Sequence, residues 1–393
     1  MDFGLADSHE LIAQTARRLT SEFPPEYWRT ADLESRFPVE FGAACAEAGL
    51  FGTMIPEEYG GAGLGVTEAA LILRTIADSD AGLDGCSVVH MGMFGINPVL
   101  KHGTEAQRSE FLPRAAAGEL HTCFAVTEPD AGTETPRITT FARREGEEYV
   151  VNGRKVWISR AQEAQMILLL CRTTPYDDVE KKTDGMTLLF APRDDDAVTL
   201  REIRKMGRHA VDSNEMFIDD LRVGADCLVG EEGKGFYHLL DGLNPERVMI
   251  AAEAVGVGYH VIARASRYAS ERHVFGGPIG RNQGVQLPLA DAYSQLRAAE
   301  LLTLEAAWRY DTGRSAGAES NMAKLRATEA AHYAVNVAFE TFGGYGYAQE
   351  YDIERFYRQL PLTRVAPITN NLAKAYIAER VLGMPKSYGP GRA

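Results

Sequence analysis

The stretches HTCFAVTEPDAGT (residues 121–133) and EEYVVNGRKVWIS (147–159) decide how this chain is read. In both, β-branched and aromatic residues run into Gly, Pro, Asp or Asn, the pattern of short strands closed by turns. QMILLLCR (165–172), GMTLLFAPR (185–193) and NEMFIDDLRV (214–223) continue it. Asn152-Gly153 reads as a hairpin turn, because both residues tolerate positive φ. Several such strands within residues 120–230 predict a small β-barrel or sandwich.

The period changes on either side. Upstream, HELIAQTARRLTSEF, PVEFGAACAEAGLFG and TEAALILRTIADSDAG are helical. In the second of these, Val39, Phe41, Cys45 and Leu50 form a loose apolar stripe. GINPVLKHGTEAQRSEFLPRAAAG reads as two short helices punctuated by Gly103 and Pro113. Downstream, three long helical runs (246–272, 282–310 and 319–343) and a shorter one (371–383) predict a four-helix bundle. In the first run Val248, Ala252, Val255, Tyr259, Ile262 and Ala265 recur at three- and four-residue steps. Pro288 stands near the start of the second, where proline costs little. The fold class is α+β multidomain: an N-terminal helical domain (1–119), a middle β domain (120–230), a C-terminal bundle (231–385) and a tail (386–393).

Bulk properties narrow the function. The 393 residues carry a net charge of −14, which disfavours nucleic-acid backbones and polybasic membrane attachment. Cys45, Cys86, Cys123, Cys171 and Cys227 are odd in number and form no C-x-x-C pair. Reduced thiols in a cytoplasmic protein are expected, with no disulfide framework and no metal site. The start lacks a signal-peptide core, and no run of about 20 apolar residues is read as a membrane span.

Two clusters carry chemistry. In the first, a strand enters a Pro/Gly turn whose N–H groups and Thr127 and Thr133 hydroxyls can donate to a planar ring edge or a phosphate; ordinary turn chemistry gives the same pattern. In the second, Trp157 and Ser159 sit two positions apart on a strand and so share a face, where Trp157 is either core or the wall of a flat cofactor.

FAVTEPDAGT and VNGRKVWIS, then Glu271-Arg272-His273-Val274-Phe275-Gly276-Gly277-Pro278-Ile279, Asn282-Gln283 and Phe342-Gly343-Gly344-Tyr345-Gly346-Tyr347, resemble the acyl-CoA dehydrogenases in order and spacing over nearly the whole chain. The resemblance implies FAD. It places Phe124, Val126, Thr127, Gly132 and Thr133 along the flavin, with Thr133 also toward substrate, and puts Trp157 and Ser159 beside its N5. Arg272, Phe275 and Gln283 would reach the FAD of a neighbouring subunit, Gly343, Gly344 and Gly346 would line its pyrophosphate, and Thr369 would also contact cofactor. Arg suits a pyrophosphate through its fork of donors, and glycine allows close approach. Glu340 departs from the family's usual Gln, and its carboxylate repels a pyrophosphate.

The implied reaction removes an α-proton and passes a β-hydride to flavin, giving a 2,3-enoyl thioester. It needs a poised carboxylate and donors for the developing oxyanion. The usual base position falls on Pro367 in Arg364-Val365-Ala366-Pro367-Ile368-Thr369, and proline is neither a base nor an N–H donor. The isovaleryl- and long-chain-type arrangement places the base on Glu246, in Leu243-Asn244-Pro245-Glu246-Arg247, with Leu243 and Arg247 beside the substrate. Pro245-Glu246 also reads as an ordinary helix start. An acyl-CoA or acyl-carrier-protein thioester, an electron-transfer flavoprotein as acceptor, a homotetramer built as a dimer of dimers and a place in fatty-acid β-oxidation are implied with it. A flavin monooxygenase or oxidase on the same fold and a non-enzymatic flavin scaffold are the alternatives; Glu246 and the acidic charge count against them.

Overall fold

The computed structural model describes residues 6–387. The start and the tail in the sequence reading lie partly outside that range. Helices α1 (Asp7–Ser21), α2 (Pro25–Leu33), α3 (Val39–Glu47), α4 (Val66–Ala77), α5 (Gly82–Gly95), α6 (Asn97–His102) and α7 (Glu105–Ala116) come first. The α5 segment is buried nearly all round and carries no amphipathic period, and the sequence reading passes over it and the short α2. In the α3 stripe Phe41, Cys45 and Leu50 are buried, but Val39 at the first position of the helix is exposed. Pro113 lies inside α7 and does not interrupt it. A capping box between Thr104 and Gln107 starts α7, and the Gln107 amide donates onward to the carbonyls of Asp226 and Leu228.

The β region is one hydrogen-bonded sheet of seven strands: β1 (Thr122–Ala125), β2 (Phe141–Glu145), β3 (Glu148–Ser159), β4 (Met166–Arg172), β5 (Met186–Pro192), β6 (Val198–Glu202) and β7 (Ser213–Gly224). Their order is β1-β4-β2-β3-β7-β6, with β5 also on β4. All of β4 is buried because the sheet is covered on both faces. Met166, Leu168 and Leu170 pack with Val99 and Leu112 of the N-terminal helices, while Ile167, Leu169 and Cys171 face Val151, Leu221 and Val223.

The hairpin expected at Asn152-Gly153 is not there. The β2–β3 turn lies at Gly146 (φ 65°), and β3 runs straight through 152–153 with a bulge against β7. The Asn152 amide bonds across the sheet to Asp220, and a Cβ on Gly153 would sit 2.3 Å from Thr140 Oγ1. The glycine therefore serves close strand packing, not a turn.

Helices α8 (Gly235–Glu271), α9 (Gln283–Asp311) and α10 (Gly317–Phe342) are the long members of the bundle. The ribbon β8 (His273–Val274) and β9 (Gly277–Pro278) joins α8 to α9. Short helices α11 (Ile353–Gln359), α12 (Pro361–Val365) and α13 (Asn370–Tyr376) follow. Pro245 does not start its helix: α8 begins ten residues earlier and carries the proline inside. Proline leaves the carbonyl four residues back without its helical donor; that carbonyl, on Asp241, faces the Tyr310 hydroxyl at 3.5 Å. α8 is also long and apolar enough to cross a membrane, contrary to the sequence reading, but most of its apolar window is buried against α4, α9 and α10, as befits the central helix of a protein core.

Candidate active site

The turn after β1 is built around a buried charge pair. Glu128 accepts the N–H and hydroxyl of Thr139 (2.7 and 2.8 Å), the N–H of Thr140 (2.9 Å) and the ammonium of Lys155 (2.9 Å), which also donates to the Val126 carbonyl. Burial alone would raise the Glu128 pKa, but Lys155 and the Thr139 and Thr140 donors hold it below the ordinary carboxylate range. With the turn so fixed, the Val156 N–H donates to the Thr127 carbonyl and brings Thr127 beside Trp157. Gly132 and Thr133 are exposed at its tip.

Trp157 lies within a β3 bulge, between Lys155 and Ile158, at φ 63°, and is 59% exposed. A bulky residue in the left-handed region is a real departure from backbone preference, and bulges are a device for re-aiming a side chain. Ser159 follows on the same strand, half-buried. The Val156–Thr127 hydrogen bond thus gathers Phe124 of β1, Val126 and Thr127 of the turn after it, and Trp157 and Ser159 of β3. A flat apolar wall beside unspent N–H and hydroxyl groups fits a flavin ring.

Glu246 is 9% exposed on α8. Its Oε2 lies 2.6 Å from His90 Nε2, and His90 Nδ1 lies 2.5 Å from Oε1 of Glu253. Two helical turns separate the carboxylates, so both sit on one face of α8, and α5 inserts the imidazole between them. Burial opposes a charge on His90, but the two carboxylates outweigh it and push its pKa up to about 10. His90 packs edge-on against Phe94, and Phe94 against Phe124, with centroids 6.2 and 4.9 Å apart. The base candidate and the flavin-facing strand are therefore joined through two aromatic contacts.

Arg247 makes no ion pair with Glu246 among the described residues. It donates to Asn244 Oδ1 at 2.7 Å and keeps a buried Nε without a partner. Leu243 is half-buried one turn before it. The Pro367 loop comes close: the buried Lys324 ammonium donates to the Ile368 carbonyl and to Asn370 Oδ1, both at 2.7 Å. Burial pushes the Lys324 pKa down to about 8, helped by the charges of Arg247 and Arg364. Thr369 caps α13, its Oγ1 accepting the Leu372 N–H.

The remaining sequence candidates form a second locus. Arg272, Gly343 and Gly344 line an open cleft of about 510 Å³ with Tyr268, Phe342 and Tyr345. Added Cβ atoms on Gly343 and Gly344 would meet nothing within 4 Å, and Gly343 closes α10 at φ 59°. Gly346 is buried instead, with Phe339 and Phe342 against it. Phe275 projects from the β8–β9 ribbon, 97% exposed at φ 51°, and Gln283 is exposed at the start of α9. Arg272 stands 26 residues along α8 from Glu246, about 39 Å at helical rise. Within one chain, Glu246 and this cleft are therefore far apart along α8.

Sequence reasoning missed His90, Glu253 and Lys324. The seven-residue step from Glu246 to Glu253 was visible; nothing in VVHMGMFG marks His90 as their partner.

Residues 6–119, 123–221 and 233–382 match the N-terminal, middle and C-terminal domains of acyl-CoA dehydrogenases. The chain is 35% identical over 387 residues to the acyl-CoA dehydrogenase FadE12 of Mycobacterium bovis, covering 98% of each. It is 33% identical to the acryloyl-CoA reductase (NADH) of Anaerotignum propionicum, over 97% of this chain and 96% of that one. A solved glutaryl-coenzyme A dehydrogenase in complex with glutaryl-CoA superposes with a TM-score of 0.93 at 30% identity, covering 100% and 99%.

Proposed function

The chain belongs to the acyl-CoA dehydrogenase family, and from that premise we propose that it desaturates an acyl-CoA thioester between Cα and Cβ, with Glu246 as the base. The observation that carries this reading is the state of Glu246. It is a buried carboxylate with Oε2 held by His90, while Oε1 makes no hydrogen bond among the described residues. The α-proton passes to that free oxygen.

FAD is the cofactor, and when bound its flavin accepts the β-hydride. Thr127, Thr133, Trp157 and Ser159 orient the ring, and Phe124 and Val126 exclude water beneath it. Arg272, Phe275, Gln283, Gly343 and Gly344 are placed to reach the cofactor of a neighbouring subunit. That assignment accords with their separation from Glu246 and with the full exposure of Phe275; it needs at least a second copy of the chain, and the proposed assembly is a homotetramer. Arg247 and Leu243 position the substrate beside the base. With Pro367 lacking an N–H, the Ile368 N–H, which has no acceptor among the described residues, takes the thioester oxygen; Lys324 fixes that loop by holding the Ile368 carbonyl. An electron-transfer flavoprotein is the electron acceptor, and the enzyme works in the cytoplasm on fatty-acyl groups.

The test is anaerobic mixing of the yellow holoenzyme with acyl-CoA chains of graded length. Rapid flavin bleaching is expected for the wild type. Glu246→Gln should keep its FAD yet bleach at least about 1,000-fold more slowly, as loss of an essential base requires. Wild-type bleaching rates in that variant would remove Glu246 from the chemistry.

A further inference from the structure

We propose that His90 is the positioning residue of the base: as an imidazolium bridging Glu246 and Glu253, it fixes one Glu246 oxygen and supplies the positive charge beside the carboxylate. This rests on the reading of Glu246 given above. The geometry itself calls for the charged ring. A neutral imidazole has one donor and one acceptor nitrogen. It can donate to only one of the two carboxylates, which lie 2.6 Å from Nε2 and 2.5 Å from Nδ1. The imidazolium donates to both. His90 is 5% exposed and Glu253 likewise, so solvent does not supply the missing charge.

On α8, Glu246 and Glu253 face the ring, and Arg247 adds its field at Glu246. In the segment before β7, the buried Arg208 acts chiefly on Glu253 and Asp84. On α5 itself Asp84 is turned toward Arg355 of α11 and Gln359, and Cys86 is a buried thiol pushed far above its ordinary range by burial. His90 is therefore the one cation within hydrogen-bond reach of Glu246 among the described residues. Without it, two buried carboxylates share one helix face with no cation between them.

The roles follow from which oxygen is engaged. Oε2 receives the His90 N–H, so the carboxylate cannot rotate, and Oε1 is left as the acceptor. When the substrate Cα–H bond breaks, the proton goes to Oε1 and its electron pair forms the new double bond. His90 keeps both of its protons throughout. Its part is to set orientation and charge.

The test uses the holoenzyme and the pH dependence of flavin reduction by a short-chain acyl-CoA. In His90→Gln the amide still donates to Glu246 but carries no charge. The acid limb of kcat/KM should rise by at least about one pH unit, a tenfold loss on that limb, with rates converging on wild type at high pH. Glu253→Gln removes a carboxylate while leaving the Glu246 contact, so its acid limb should not rise. A uniform loss at every pH in His90→Gln, an unmoved limb, or a limb that rises equally in both variants would overturn the proposal. Independently of either variant's folding, the wild-type holoenzyme labelled with ¹⁵N-histidine should show one of its nine histidines doubly protonated at pH 8.5; nine neutral rings would also overturn it. If no acyl thioester bleaches the wild type, the dehydrogenase reading fails, and the nitrogen spectrum still decides the state of His90.

Discussion

Lys155→Met tests the charge pair that shapes the turn after β1. Lys155 is fully buried and Glu128 nearly so. Deleting one partner of a buried pair typically costs about 3–5 kcal/mol, because the other charge is left uncompensated. Glu128 keeps three of its four donors, from Thr139 and Thr140, which places the loss near about 3 kcal/mol, or a factor of about 150 in the folded-to-unfolded ratio. The assay is urea unfolding followed by fluorescence, with Trp157 two residues away as the local reporter. FAD should dissociate at lower urea than in the wild type, since Thr127 and Trp157 are aligned through this turn. Glu128→Gln combined with Lys155→Met removes the orphaned charge and should recover more than half of the loss. A Lys155→Met protein within about 0.5 kcal/mol of wild type, the range of a neutral surface change, would refute the reasoning. So would a double variant as unstable as the single one.

Two further outcomes are expected. Asp311 accepts the Val66 and Thr67 N–H groups at 2.8 and 2.9 Å and so caps α4 from another helix; Asp311→Ala should cost about 1–2 kcal/mol in thermal or chemical unfolding, and Asp311→Asn clearly less. Burial pushes the thiols of Cys123 and Cys171 up to about 12, whereas half-buried Cys227 reaches about 11; a thiol reagent at pH 8 should therefore modify Cys227 first and slowly, as read by peptide mass mapping.

The sequence was most legible where one face of an element decides its burial. The α1 helix and the alternating run of β7 are of this kind; the β4 and β5 runs are legible for the opposite reason, being apolar and buried on both faces. β2 (Phe141–Glu145) and β6 (Val198–Glu202) escaped because their outward positions are charged and their lengths short. Asn152-Gly153 misled because Gly has two uses, positive φ and close approach, and only the location of Thr140 distinguishes them. Pro245 misled in the same way: a proline can sit inside a helix when a side chain such as Tyr310 reaches the carbonyl it leaves behind. At the site, the carboxylate could be read from one segment. Its partner could not, since His90 and Glu246 are 156 residues apart and meet only through the docking of α5 on α8.

That docking belongs to a core in which Trp28, Leu73 and Val88 of the first 95 residues pack with Val255, Leu296, Ala331 and Phe356. The consequence lies in biosynthesis. After α5 leaves the ribosome, roughly 265 residues must still be made before Leu360 completes that core. At about 5–20 residues per second this takes on the order of 15–50 s. During that interval the N-terminal helices are an apolar surface awaiting its other half, and nascent-chain chaperones should hold this segment longer than they hold the sheet, whose strands are contiguous in the chain.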